Sequence, residues 1–251
     1  MVFIRHGLVG CLLAGVLIAV FGLPMSIAMS QTDQQLDWCR NRGTAFSRDQ
    51  QIAGCSAIIQ SRRSTANELL WAFHNRGYAY YRKDAFERAI ADFNEAIRIS
   101  PTDADVLNAR CWLRTIVGRE LRQALDDCNE SLRLRADDAP TLDSRGFTCL
   151  KLGQFNNSIA DYDAAIALDP RQAESYFGRG VAKLKVGNLA GGNADITRAK
   201  AIQADIAEEF AKYGVRLDGA NATIQTLSGA TSADCARAVA RLQGGRGPLD
   251  L

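Results

Sequence analysis

The cysteines are the residues whose type and spacing in this sequence could do chemistry. Cys39 and Cys55 lie 16 residues apart, and Cys111 and Cys128 lie 17 residues apart. Thiols can form disulfides, take part in thiol exchange or ligate a metal ion. The chain has no C-x-x-C pair and no zinc-type spacing of Cys and His, so its motifs support neither a thioredoxin-like redox site nor a zinc site. Whether these cysteines pair therefore depends on the elements that carry them.

Sequence motifs of catalysis are equally scarce. No Walker A loop, H-E-x-x-H or G-x-S-x-G occurs. His74 could act as a base, but a single histidine is more often a contact residue. The net charge is only +2, and basic stretches such as residues 60–64 are short. The sequence therefore gives no indication of a nucleic-acid-binding surface. We therefore expect a protein that is not an enzyme and that uses no cofactor, no metal and no nucleic acid.

The first thirty residues have the three-part layout of a secretory signal peptide. A short basic start precedes the uncharged apolar run at 8–23, and Ala28 and Ser30 stand at the −3 and −1 positions of a cut before Gln31. The apolar run is shorter than the roughly 20 residues of a membrane span. We expect a cleaved signal and a periplasmic or secreted protein, with an uncleaved anchor as the main alternative. A lipoprotein cut before Cys11 is disfavoured, because this cysteine precedes the apolar core.

Residue types recur along the rest of the chain at steps of 34 and 35 residues. Small residues at helical spacing let two helices approach closely, and apolar residues at i, i+3, i+4 and i+7 give each helix one apolar face. One helical hairpin cannot bury that face alone, so neighbouring hairpins must stack. The recurring small residue is Gly77, Cys111, Gly146 and Gly180, and the larger residue after it is Phe93, Cys128, Tyr162 and Ile196.

This pattern resembles the tetratricopeptide repeat family, whose signature has a small residue at position 8, Ala at 20, an aromatic residue at 24, Ala at 27 and Pro at 32. Four copies span 70–103, 104–138, 139–172 and 173–206, and the longer second copy carries one extra residue in the turn between its helices. The resemblance implies an exported bacterial-type protein with an all-α fold, a right-handed α-solenoid of stacked antiparallel helix hairpins. Position 20 is Ala89, Ala124, Ser158 and Gly192, and position 32 is Pro101, Ala136, Pro170 and Ala204.

The same frame divides the chain into parts. Residues 1–30 are the signal peptide, residues 31–66 a degenerate first repeat, and residues 70–206 the four full repeats. Residues 207–218 are predicted to form the helix with which this family covers the last exposed face. Residues 219–251 are rich in Gly, Ser and Ala, and we expect a flexible tail with one short helix.

The resemblance also suggests a role for the cysteines. In this repeat, positions 8 and 24 face each other across the tightest contact of the hairpin, which can supply the Cα separation of about 4.4–6.8 Å that a disulfide needs. An exported chain meets an oxidising compartment. Cys39–Cys55 and Cys111–Cys128 are therefore predicted to be disulfides within their hairpins. A rival pairing joins Cys128 to Cys149.

Charges keep the same register. Position 7 is Arg and position 23 is Asp in every full copy. We predict that each Arg meets an Asp of its own hairpin or of an adjacent one, as a structural ion pair rather than as part of a binding ladder. Removing one partner would leave a partly buried charge unpaired. The arginines are Arg76, Arg110, Arg145 and Arg179, and the aspartates are Asp92, Asp127, Asp161 and Asp195.

The first helices line the concave face in this family, with positions 5, 9, 12 and 13 directed into it. The resemblance therefore implies a groove with an aromatic stripe and flanking cations, which suits a peptide with apolar anchors and some negative charge. Alternatively, the aromatic residues pack against one another as core. The candidate partner-binding residues are His74, Tyr78, Tyr81, Arg82, Trp112, Phe147, Lys151, Phe177 and Lys185.

The predicted function is a non-catalytic scaffold of the cell envelope that holds a protein or peptide partner in its concave groove. The alternative is a redox-gated binding protein in which Cys149 and Cys235 form a labile thiol pair. A plain Cys149–Cys235 disulfide is also open, because the tail is long enough to reach back. Membrane attachment is expected only through an uncleaved signal anchor.

Overall fold

A computed structural model of the chain describes residues 31–41, 45–218 and 221–224. The signal peptide predicted at 1–30 lies outside the described residues, as does most of the tail predicted at 219–251. The described helices are all too short or too polar to span a bilayer.

The described residues contain eleven helices, which form five antiparallel hairpins and one short final helix. Their bounds are α1 Gln31–Arg40, α2 Arg48–Gln60, α3 Ala66–Tyr81, α4 Phe86–Ile99, α5 Ala104–Val117, α6 Leu121–Leu134, α7 Ala139–Lys151, α8 Phe155–Leu168, α9 Ala173–Lys185, α10 Leu189–Ile202 and α11 Ile206–Lys212. Each even-numbered helix from α2 to α8 packs against the odd-numbered helices on both sides of it in the chain, and the odd helices also contact one another, α5 with α7 and α7 with α9. This arrangement confirms the predicted solenoid and places the first helices on its inner side.

The helices begin where the sequence supplies N-terminal caps. The Thr65 hydroxyl accepts a hydrogen bond from the Glu68 amide, and the Glu68 carboxylate accepts one from the Thr65 amide. This capping box starts α3 at Ala66, one turn before the predicted start of the first full copy. The carboxylates of Asp103 and Asp138 cap α5 and α7 by accepting amide hydrogen bonds from the first turn of each helix.

The extra residue of the second full copy is absorbed in the turn between α5 and α6. Both Gly118 (φ 73°) and Glu120 (φ 53°) adopt the left-handed conformation there. The corresponding turns of the other full copies contain one such residue each, at Asp84, Gly153 and Gly187. The insertion thus lies where the repeat pattern predicted it, and the turn accommodates it outside the paired helices.

The tightest contact of each hairpin joins the small residue of its first helix to the larger residue of its second. A Cβ atom added to Gly77 would lie 2.8 Å from the Phe93 ring, and one added to Gly180 would lie 2.8 Å from Ile196. Such distances are shorter than side chains tolerate in a close-packed interior. Glycine therefore makes room for a large side chain in the facing helix.

The chain after the last hairpin departs from the prediction of one helix over 207–218. α11 has only seven residues, and Gly214 (φ 84°) then turns the chain in the left-handed conformation that commonly ends helices. Strand β1, Val215–Asp218, follows and pairs antiparallel with β2, Asn221–Ile224. The alternation of apolar and polar residues after the glycine favours this extended structure. The first residues of the predicted flexible tail thus form part of a hairpin.

Candidate functional site

The inner face of the solenoid is covered by part of the chain itself, residues 206–217, which we call the C-terminal segment. Its helix, α11, packs against α9 and α10 at the end of the stack. The Phe210 ring centroid lies 4.6 Å from that of Phe177 on α9 and 5.4 Å from that of Phe147 on α7. The helix predicted to cover the end of the stack therefore also enters the predicted groove.

Tyr213 carries this contact further along the inner face. Its ring centroid lies 5.5 Å from that of Trp112 on α5 and 6.1 Å from that of Phe147 on α7. Its hydroxyl interacts with that of Tyr81 on α3, and burial raises the pKa of both phenols. Trp112 and Phe147 are consequently only 2% and 1% exposed, so this part of the predicted stripe is covered.

The two lysines predicted to flank the groove differ in their surroundings. Lys151 is buried, and its Nζ donates hydrogen bonds to the backbone carbonyls of Thr115 (2.9 Å) and Tyr213 (3.0 Å). The same Nζ lies 5.5 Å from the centroid of the Phe147 ring, a cation–π distance. Lys185, at the end of α9, is exposed. Lys151 therefore fastens the C-terminal segment in place, whereas Lys185 faces solvent.

The predicted groove residues on α3 and its C-cap form an accessible part of the inner face. His74, Tyr78, Tyr81 and Arg82 all keep partial exposure. The Tyr78 and Tyr81 ring centroids lie 6.0 Å apart. The pKa of His74 is lowered because burial disfavours the charged imidazolium. These four residues thus keep some solvent exposure beside the C-terminal segment.

The carboxyl groups of Asp143, Glu174 and Glu209 interact where α11 meets the inner face. Among the described residues, no group of His, Cys, Asp or Glu side chains is arranged to hold a metal ion. Asp143 on α7 is buried and accepts a hydrogen bond of 2.6 Å from the Ser175 hydroxyl. Burial raises the pKa of Asp143 to about 8, and the nearby charges of Glu174 and Glu209 contribute to the rise. Burial also raises the pKa of Glu174 and of Glu209, which accepts a hydrogen bond of 2.7 Å from Gln203. The C-terminal segment thus brings one carboxyl close to two others.

On α5, the side-chain oxygen of Asn108 and the indole N–H of Trp112, which packs against Tyr213, are buried without a well-formed hydrogen bond. No described residue donates to the side-chain oxygen of Asn108, which is 6% exposed. The indole N–H of Trp112 lies near the Tyr81 hydroxyl but makes no hydrogen bond of good geometry. Buried polar atoms are usually satisfied, so the segment complements this part of the inner face incompletely.

The charged positions in register form ion pairs within each full hairpin. Arg110 donates to Asp127 through Nε (2.8 Å) and Nη2 (2.6 Å), and through Nη1 to Asn94 of the preceding hairpin (2.7 Å). The bidentate geometry fixes the hairpin, and the third bond joins it to its neighbour. The other pairs are Arg76–Asp92, Arg145–Asp161 and Arg179–Asp195, whose arginines reach Ser56, Asn129 and Asp163.

Two disulfides join the helices of their own hairpins at the predicted contact. The Cα atoms of the paired cysteines lie 4.5 Å apart in one disulfide and 5.5 Å apart in the other. The rival pairing of Cys128 with Cys149 is therefore wrong. Cys149 is a buried thiol whose pKa burial raises to about 11, which keeps it protonated at neutral pH. Cys235 lies outside the described residues, so its pairing with Cys149 stays a prediction. The disulfides are Cys39–Cys55 and Cys111–Cys128.

Sequence reasoning missed the contribution of the C-terminal segment to the groove. It placed Phe210 on a helix that covers the end of the stack, and it gave no role to Tyr213 or Glu209. The available signal was the pair of aromatic residues three positions apart just before Gly214, where the helix ends. Two aromatic side chains on one helical face require a large apolar surface to bury them.

Comparisons with known proteins agree with this architecture. Family models described as "TPR repeat" and "Tetratricopeptide repeat" match residues 146–187 and 71–103. A search of curated protein sequences finds no match.

Several solved structures share the fold. MamA from Desulfovibrio magneticus RS-1, from residue 41 to its end, superposes with a TM-score of 0.59 at 13% identity, over 70% of this chain and 97% of that one. Another MamA crystal structure gives 0.57 at 17% identity, over 75% and 98%. YrrB, described as a TPR protein with an unusual peptide-binding site, gives 0.56 at 17% identity, over 73% and 94%. At these identities the similarity concerns the fold alone.

Proposed function

Because this chain belongs to the tetratricopeptide repeat family, we propose that its mature part is an exported, non-catalytic scaffold that binds a protein or peptide partner on its inner face. The observation that carries the proposal is that this face already holds a polypeptide, the C-terminal segment, through aromatic contacts and a bond from Lys151 to a backbone carbonyl. A surface that holds one segment in this way has the chemistry to hold another. The peptide-binding site ascribed to YrrB, which shares the fold, supports the same use.

The accessible patch on α3 is the proposed first point of contact. Tyr78 and Tyr81 offer aromatic surface, with the Arg48 guanidinium 5.8 Å from the centroid of the Tyr78 ring and the charge of Arg82 close to Tyr81. Partly exposed aromatic residues next to an arginine are the composition of binding hot spots. A partner that carries an apolar anchor and a carboxylate fits this patch.

The proposed location is the periplasm or the exterior of the cell. The two disulfides support it, because such bonds persist in oxidising compartments and are rare in the cytosol of mesophiles. Sequencing the N-terminus of the protein recovered from the cell envelope tests export. The expected first residue is Gln31, and an intact start at Met1 would favour the anchor instead.

Site-specific photocrosslinking tests the binding site. A benzoylphenylalanine placed at Tyr78 is expected to capture one recurrent partner, and the crosslinked peptide identifies the bound stretch. Lys200 on α10 is exposed and serves as the matched control position, which should not capture that partner. Equal capture at both positions, or none at either, would contradict binding on the inner face. The redox-gated alternative gains no support, since burial keeps the Cys149 thiol protonated.

A further inference from the structure

We propose that the C-terminal segment is an intramolecular ligand of the inner face. The partner that replaces it carries the same two aromatic side chains, three residues apart, with a basic residue in the place of Glu209. This inference rests on the proposed function and names the class of peptide that the inner face accepts.

The C-terminal segment contacts the solenoid as an anchored peptide does. Phe210 lies against Phe177 and Phe147 at ring distances of 4.6 and 5.4 Å. One helical turn later, Tyr213 lies against Trp112, and its carbonyl accepts a hydrogen bond from Lys151. Two aromatic anchors and one backbone contact give both affinity and register. A partner therefore needs these two anchors at the same spacing.

Glu209 is buried in an acidic part of the inner face, where its carboxyl accepts hydrogen bonds from Gln203 (2.7 Å) and the Tyr213 hydroxyl (3.4 Å) but has no cation from α7 or α9 among its described partners. Its carboxyl lies near those of Asp143 on α7 and Glu174 on α9, and burial together with these neighbours disfavours negative charge on each of the three. On its own helix, Lys212 offsets the charge of Glu209 and Asp205 adds to the repulsion. A lysine or arginine in the place of Glu209 would pair with the acidic groups of α7 and α9. The solenoid thus favours a partner that is basic where its own segment is acidic.

Unsatisfied polar atoms give a second, independent sign of an incomplete fit. The side-chain oxygen of Asn108 lacks a donor, and the indole N–H of Trp112 lacks a well-aligned acceptor. Both side chains are more than nine-tenths buried and belong to α5, the helix against which Tyr213 packs. A partner with a donor and an acceptor near its second aromatic residue would satisfy both.

The tether makes the C-terminal segment a competitor. Only residues 203–205 separate it from α10, so its effective concentration at the inner face is of the order of millimolar, as for other short linkers. A partner with the same contacts would have to overcome this local concentration, whereas one with better contacts displaces the segment. Until then the segment covers Trp112, Phe147 and Phe177, whose exposure would create an apolar patch.

Peptide binding to the full mature chain tests the inference. The probes are a labelled peptide with the sequence of residues 204–218, the same peptide with Glu209→Lys, and a third with Phe210→Ala and Tyr213→Ala. Fluorescence anisotropy should show the Glu209→Lys peptide binding about tenfold more tightly than the unmodified peptide, and the third peptide not at all. A chain carrying Phe210→Ala and Tyr213→Ala should bind the first two peptides at least about tenfold more tightly than the wild type. Glu208→Ala, exposed on the same helix, should match the wild type.

Hydrogen–deuterium exchange on the wild-type chain keeps the test decisive if the double variant misfolds. Saturation with the Glu209→Lys peptide should raise exchange in residues 206–213 and leave α4 to α8 protected. Binding that leaves 206–213 protected, or that is indifferent to the peptide's aromatic residues, would overturn the inference. The photocrosslinking result at Tyr78 does not depend on these peptide measurements. Capture of a partner at Tyr78 without displacement of residues 206–213 would therefore refute the intramolecular ligand and leave partner binding intact.

Discussion

The ammonium of Lys151 donates a hydrogen bond of 3.0 Å to the backbone carbonyl of Tyr213, 62 residues further along the chain. The lysine is 2% exposed, so its charge is compensated inside the protein by carbonyl oxygens and the face of Phe147. Charge-assisted hydrogen bonds are about twice as strong as neutral ones. This contact therefore couples the third full repeat to the C-terminal segment. Lys151, which was predicted to bind a partner, instead holds this segment against the inner face.

Replacement of Lys151 by methionine is expected to loosen the C-terminal segment without unfolding the repeats. Methionine is unbranched and only one atom shorter than lysine, but it donates no hydrogen bond. The change leaves the Tyr213 carbonyl without this donor and removes about 1–3 kcal/mol from the attachment of the C-terminal segment. Hydrogen–deuterium exchange should rise in residues 206–217 and stay unchanged in α4 and α6. Lys185→Met, at an exposed site, is the control and should leave exchange as in the wild type. Uniform destabilisation of the whole chain would refute the idea that Lys151 acts on the segment.

The buried carboxyl of Asp143 predicts that stability falls as pH rises. Its pKa is raised from 3.8 to about 8 in the folded chain, so the folded state holds more protons than the unfolded state between these values. Protons lost on unfolding make the free energy of unfolding decrease with pH across this window and level off above it. The raised pKa values of Glu174 and Glu209 act in the same direction.

Asp143→Asn should remove the contribution of this carboxyl, because the amide keeps an oxygen that accepts from Ser175 but does not ionise. At about pH 8.5 the variant should be more stable than the wild type by about 1 kcal/mol or more, which for a chain of this size is roughly 2–4 °C in Tm. Toward pH 4, close to the pKa of this carboxyl in the unfolded chain, the difference should nearly vanish. Thermal unfolding at both pH values measures it, and equal pH profiles for the two proteins would show that Asp143 is ionised in the fold.

The hairpin register was predictable because the chain repeats it. Gly77, Gly146 and Gly180 keep the repeat step of 34 or 35 residues, with Cys111 at the same position of the second copy, and each glycine faces a larger residue 16 positions later. The same logic placed the disulfides and the ion pairs. The bonds from the arginines to Asn94 and Asn129 of preceding hairpins were missed, although these residues are 35 positions apart and keep the register.

The filling of the groove was not predictable from the repeat, because the C-terminal segment has no second copy in the chain. Its path depends on where α11 ends, which Gly214 decides, and on what Phe210 and Tyr213 find to pack against. Sequence periodicity records contacts that recur. A contact that occurs once, between residues as far apart as Lys151 and Tyr213, leaves no period to detect.

Gly180→Ala is expected to destabilise the last full repeat. The added Cβ would lie 2.8 Å from Ile196 and 2.9 Å from the backbone oxygen of Gly192, and the backbone cannot move without shifting α10. Overpacking of this kind lowers the free energy of unfolding by about 1–3 kcal/mol. Gly191→Ala on α10 is the control, since the nearest atoms to its Cβ would belong to the exposed Asn188 side chain, and displacing that side chain would cost at most its one cap hydrogen bond, about 1 kcal/mol. Urea unfolding compares the two, and equal midpoints would contradict the tight hairpin contact.

Loss of the second disulfide should lower stability more than loss of the buried Cys149 thiol. Replacing both Cys111 and Cys128 by serine opens a loop of 17 residues, which in the chain-entropy model removes about 3 kcal/mol. Cys149→Ala removes one buried sulfur and should cost about 1 kcal/mol or less. Urea unfolding under non-reducing conditions compares the two variants. Thiol labelling of the denatured, unreduced wild type should leave Cys111 and Cys128 unmodified, and labelling of either would show that the bond does not form in the mature protein.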